Sequence, residues 1–273
     1  MKQKEVSKGR RIGNIISMIV IMAVIGGIGA GGVYIYNSMQ DKTAYREEGI
    51  AYYNAGDYDN AIKKLDSSLK QKAFFAEPLD RDTRLYLADS YYLSRQYQKA
   101  IKQYDILLET EEEQVAYLTL QKQMCQAFID FNNSKYESAL PAFQTAIEAG
   151  HVECTLYAGV CAAELGKSDE MVAYLTTYLS YNPDNAYACT MLADYYLKQG
   201  VYETCHQYLL QGLNGSDRSC DEQLLYVEVV YYEYMHEYNT AYERLCEYME
   251  TYPVTDAVQR EYDFLSTRQT LES

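Results

Sequence analysis

The stretch GIAYYNAGDYDNAIKKL, residues 49–65, decides the fold. A small residue, Gly49, is followed three positions later by Tyr52. After Gly56 and Asp57 a second run opens with Tyr58, Ala61 and Leu65. Offsets of three and four place each set on one helical face, and the Gly-Asp pair separates them into two helices joined by a short turn. The small residue on the first helix and the alanine on the second let the helices approach closely, while the Tyr and Leu positions fill the gap to the next hairpin.

Working outward, the same shape returns five times. Ala88, Tyr91, Tyr97, Ala100 and Tyr104 hold the same offsets, and so do Ala127, Tyr136, Ala139 and Phe143, with Asp130 where the aromatic belongs. Gly159, Ala162, Gly166, Met171 and Leu175 follow, then Ala193, Tyr196, Gly200, Tyr202, Cys205 and Leu209. The last set is Val229, Tyr232, Tyr238, Ala241 and Leu245. Gly159 to Ala193 is a step of 34 residues and Ala193 to Val229 one of 36, whereas Gly49 to Ala88 and Ala88 to Ala127 are each 39. Over about residues 42–253 this pattern resembles the tetratricopeptide repeat (TPR) family, whose unit is a helix–turn–helix of about 34 residues. The expected fold is all-α: a TPR-like α-solenoid of about six hairpins over 38–253. A C-terminal capping helix and tail follow over 254–273, where Val258, Tyr262 and Leu265 stand at helical spacing among polar residues.

The N-terminus is of another kind. No charged residue occurs between Ile12 and Gln40, and the run is rich in Ile, Val, Met, Ala and Gly. About 20 apolar residues span a bilayer core, so residues 12–37 are expected to be a single-pass transmembrane helix. The preceding tail, 1–11, carries Lys2, Lys4, Lys8, Arg10 and Arg11 against Glu5. That bias places the N-terminus in the cytoplasm and the solenoid outside it. A cleaved signal peptide shares the basic start, but the length of the apolar run favours retention. Gly27 and Gly31 form a GxxxG pair, the basis for expecting a weak homodimer.

Composition narrows the function. Hydrophobic residues make up 48 % of the chain, against a net charge of −15. The tail sums to +4, leaving −19 for the rest, a field that repels nucleic acid. The seven cysteines show no C-x-x-C spacing, and neither His151, His206 nor His236 pairs with a nucleophile or second ligand. No phosphate cradle or nucleophile elbow is present, so neither enzymatic activity, nor a metal, nor a cofactor is expected.

What the resemblance does imply is a groove lined by the first helix of each hairpin. In the first unit the inward residues would be Arg46, Ile50, Tyr53 and Asn54, and in the second Tyr86, Asp89, Tyr92 and Leu93. Tyr157 and Val160 follow in the fourth, Met191, Asp194 and Leu197 in the fifth, and Tyr226, Val230 and Tyr234 in the sixth. The family's clamp for C-terminal carboxylates needs lysine and asparagine at set positions. Arg46 keeps the positive charge, but Ile50 and Tyr86 stand where asparagines would. The expected role is a membrane-tethered adaptor that holds a peptide or helix of envelope protein complexes. The alternatives are a glycan-binding solenoid, since tyrosines also stack on sugars, and an adaptor facing the cytoplasm.

Overall fold

The computed structural model describes residues 37–73, 75–110 and 113–269, whose regular secondary structure is helical. The basic tail, the Gly27/Gly31 pair and the expected anchor at 12–37 lie, Asn37 excepted, outside the described residues. Among the described residues no helix is long and apolar enough to cross a membrane.

Thirteen helices run through the described residues. Residues 37–54 belong to α1. There follow α2 (Tyr58–Lys70), α3 (Glu77–Leu93), α4 (Tyr97–Leu108), α5 (Val115–Asn132), α6 (Tyr136–Glu148) and α7 (Cys154–Glu164). The remainder are α8 (Ser168–Tyr181), α9 (Ala186–Lys198), α10 (Tyr202–Asn214), α11 (Asp221–Tyr234), α12 (Tyr238–Thr251) and α13 (Asp256–Arg268). They form two compact units that divide between Ile129 and Asp130. In the first, α2 packs on α3 and α3 on α4. In the second, each helix from α6 to α13 packs on the next, and α9 also touches α11.

The hairpin turns share one construction. Seven residues beyond each small position stands a residue in the left-handed region: Gly56, Arg95, Ser134, Gly166, Gly200 and His236, with φ between 58° and 76°. The next residue's amide donates back to the carbonyl five residues earlier, as in Asp57 to Tyr52 at 2.9 Å, Lys135 to Asp130 at 2.8 Å and Lys167 to Ala162 at 2.8 Å. This six-to-one bond closes a helix C-terminus by satisfying an otherwise orphaned carbonyl. It uses only backbone, which is why Asp130 and Ala162 serve where the other four units carry tyrosine.

In the first and fourth hairpins the small position faces a large one sixteen residues later. A Cβ built on Gly49 would fall 2.7 Å from Leu65 Cγ, and one on Gly159 2.7 Å from Leu175 Cδ2. These helices therefore touch at a distance only glycine permits without moving the leucine. In the second hairpin the large partner position is Tyr104, fully buried, whose hydroxyl donates to Asp89 Oδ1 at 2.8 Å. A buried phenol needs such an acceptor. Burial in turn pushes the Asp89 carboxyl above its ordinary range, partly offset by the tyrosine's hydrogen bond.

Two side-chain devices tie down the ends of the described chain. Lys42 on α1 is fully buried, donates to the carbonyls of Ser68 and Gln71 at 3.0 Å each, and pairs with Asp80. At the other end Thr255 caps α13 by accepting from the Val258 amide at 3.3 Å. Val258 and Leu265 bury against Val229, Ala241 and Leu245. All seven cysteines are free thiols, five of them buried in helix contacts where they act as small apolar residues.

Candidate partner-binding groove

In the second unit a groove of about 420 Å³ lies between α9 and α11 and is closed on one side by α12. Its lining is Thr190, Met191 and Asp194 from α9, Glu222, Gln223, Tyr226 and Val227 from α11, and Tyr248 from α12. The size lies within the range of ligand pockets. Helical periodicity builds the walls: Thr190 and Asp194, Glu222 and Tyr226, and Gln223 and Val227 are each one turn apart on a shared face. The Tyr248 hydroxyl donates to Glu222 Oε1 at 3.1 Å, and its ring lies 5.7 Å from that of Tyr226. Burial pushes the hydroxyls of Tyr226 and Tyr248 above their ordinary range, so both remain neutral donors. Asp194 pairs with Lys198 at 2.6 Å, one turn away on the exposed side.

Of the expected groove residues, the structure brings Met191, Asp194 and Tyr226 together here. Leu197 is corrected: it is 6 % exposed and packs with Ala193, Cys205, Leu209, Leu224 and Tyr231. It stands one turn after Ala193, on the stripe that meets the partner helix, so it is core. Tyr234 is 56 % exposed and stacks on Tyr202 at 6.0 Å, outside the groove lining. Tyr157 packs between Phe131 and Phe143 at 5.3 and 5.6 Å.

In the first unit Tyr53 meets Tyr58 and Tyr86 edge-on at 6.0 and 5.3 Å, and Tyr92 meets Tyr97 and Phe128 at 5.9 Å each. Arg46 pairs with Asp82 on α3, Asn54 is exposed near the end of α1, and Asp89 is engaged by Tyr104. Sequence reasoning missed Thr190, Glu222, Gln223, Val227 and Tyr248. The one-turn spacing from the expected Asp194, Tyr226 and Val230 points to Thr190, Glu222 and Val227. Tyr248 carries no such signal, because it comes from a second helix.

No group of three His, Cys, Asp or Glu residues among the described residues is placed to hold a metal ion. Residues 46–113 match the family model of the tetratricopeptide repeat. Two solved structures are similar to this chain in fold. PilF of Pseudomonas aeruginosa is 16 % identical, with 85 % of this chain and 99 % of that one aligned at a TM-score of 0.56. PilW, a widely conserved type IV pilus biogenesis factor, is 18 % identical over 80 % of this chain and 97 % of its own, at a TM-score of 0.52. At such identities the likeness is one of fold. Comparison with curated proteins gave no match.

Proposed function

We propose that this chain is a membrane-tethered adaptor whose tetratricopeptide-like stack holds segments of other envelope proteins. The observation that carries this reading is the α9–α11 groove, where Met191, Tyr226 and Val227, backed by the buried Tyr248, offer apolar surface beside the polar ends of Asp194, Glu222 and Gln223. Apolar area with a few fixed polar groups is what a peptide or helix needs for affinity and orientation. The apolar run at 12–37 supplies the tether, and its basic flank favours a stack outside the cytoplasm. A shared fold hosts many functions, so pilus assembly is not carried over from PilW. The tyrosine positions weigh against glycans: Tyr53, Tyr92 and Tyr157 pack against neighbouring rings, which leaves less open ring face for a sugar.

The test is photo-crosslinking in intact cells from a benzoylphenylalanine placed at Tyr226, with Tyr181, exposed at the end of α8, as the comparison site. A small set of envelope proteins captured from Tyr226 and not from Tyr181 supports the adaptor. Identical capture from both sites removes the groove. External protease added to the same cells, after any wall is opened, reports the side: cleavage of the stack supports the outward topology, and protection reverses it.

A further inference from the structure

We infer that the segment held by the α9–α11 groove is a basic, amphipathic peptide, with Lys or Arg side chains that reach Asp194 and Glu222 while aliphatic ones enter between Met191 and Tyr226. This inference rests on the adaptor reading and gives its partner a chemistry.

Charge is the first support. The acidic character of the chain is confined to one part: residues 130–273 hold 23 acidic and 7 basic side chains, a net of −16 within a total of −15. Residues 1–129, with 16 acidic and 17 basic, are nearly balanced. The groove lies wholly in the acidic unit and its lining includes two carboxylates and no Lys or Arg. A field of one sign over an apolar cleft raises the local concentration of oppositely charged partners and orients them on approach.

The groups around the groove set what those carboxylates can do. On α11, Glu228 is buried against Arg244 of α12, and Glu233 has a carboxyl oxygen buried out of reach of solvent, so neither lines the groove. Arg244 is in turn held by Glu228 and Glu247 and is not part of the lining. Asp221 pairs with Arg218 in the preceding turn. Glu222 keeps one carboxylate oxygen on the Tyr248 hydroxyl, which fixes its orientation. Asp194 has Lys198 as its partner, but both side chains are largely exposed, and pairs of that kind contribute little. A cation that arrives with apolar surface behind it can displace Lys198.

The apolar part of the lining is suited to a side chain of variable shape. Met191 is unbranched and polarisable, Val227 is compact, and the Tyr226 ring offers rigid area, backed by the buried Tyr248, whose hydroxyl is tied to Glu222.

The experiment uses the full-length chain in a non-ionic detergent and three fluorescein-labelled 14-residue peptides, read by anisotropy at about 50 mM salt, where charge contacts are weakly screened. One peptide has leucines at helical spacing with four lysines, the second replaces the lysines by glutamate, and the third scrambles the first. The lysine peptide is expected to bind and the glutamate peptide not to bind. The scrambled peptide should bind more weakly than the lysine peptide. Asp194→Asn with Glu222→Gln should weaken the lysine peptide about tenfold or more. Asp169→Asn with Glu170→Gln, which removes the same charge from α8, should leave affinity within about twofold. Circular dichroism checks that both variants fold.

Equal binding of the lysine and glutamate peptides overturns the inference, and so does an equal loss in the two variants, which marks a diffuse field rather than the groove. Self-association of the chain abolished by the groove variant also overturns it, by seating a second copy there. Photo-crosslinks kept at Tyr226 without lysine-peptide binding overturn the basic partner and leave the adaptor standing. Loss of both removes the two together.

Discussion

The contact between Gly159 and Leu175 gives a sharp test of how the hairpins are held. A methyl group on Gly159 would sit 2.7 Å from Leu175 Cδ2 and 2.9 Å from Cγ, well inside the 3.5–4.0 Å of an ordinary carbon contact. Leu175 cannot simply swing away, since it is fully buried among Met171, Leu179, Ala188, Cys189 and Leu192. Gly159→Ala therefore combines a helix-propensity gain of about 1 kcal/mol with an overpacking cost of about 1–3 kcal/mol. The net is a destabilisation of about 0–2 kcal/mol. Leu175→Ala alone should cost about 2–5 kcal/mol through lost burial and the cavity it leaves. In that background the added methyl has room, so Gly159→Ala should now stabilise by about 1 kcal/mol. The two changes are then coupled by about 1–3 kcal/mol. Urea denaturation of the full-length chain and its three variants in non-ionic detergent, followed by circular dichroism at 222 nm, measures this cycle where the denaturant slopes agree. A Gly159→Ala change that stabilises by the same amount in both backgrounds would refute the close approach of α7 and α8.

Two further outcomes follow from titratable groups. Burial, reinforced by the hydrogen bond with Glu261, pushes the Glu233 carboxyl from its ordinary 4.5 up to about 8, so the folded chain holds a proton that the unfolded chain has lost. Stability of the α11–α13 packing should accordingly fall as pH rises from about 4.5 through about 8, and Glu233→Gln should flatten that dependence. Hydrogen exchange of α13 amides against pH reads this directly, and an unchanged profile in the variant would refute it. Burial likewise raises the thiols of Cys125, Cys154 and Cys205 to about 12 and those of Cys161 and Cys189 to about 11. At pH 8 iodoacetamide should modify the half-exposed Cys220 and Cys246, and the five buried thiols more than about a hundredfold more slowly until the chain is unfolded. Mass spectrometry of timed samples checks the order.

The sequence by itself determined the hairpins. The small residue, the aromatic or its substitute three positions on, and the large residue at sixteen recur because helix periodicity and close packing act on neighbours in the chain. Those constraints leave a mark at fixed offsets. Glycine announced three of the turns, at Gly56, Gly166 and Gly200. Arg95, Ser134 and His236 adopt the same left-handed backbone without that mark, held by the six-to-one backbone bond that any residue can make. Met191, Asp194 and Tyr226 entered the expected groove through the resemblance to the tetratricopeptide repeat family, and the structure sets them around one cleft.

Only the tertiary structure decided the rest. Leu197 and Asp194 are three residues apart and equally plausible on a helical wheel, yet one packs against α10 and α11 and the other lines the groove. Tyr53, Tyr92 and Tyr157 are half-buried against other rings. Tyr248 enters the groove from α12, and its hydroxyl orients Glu222 from 26 residues away. Periodicity tells which residues share a helix face. Whether that face is covered by a neighbour or left open is fixed by how the helices pack, and that information is not local in the chain.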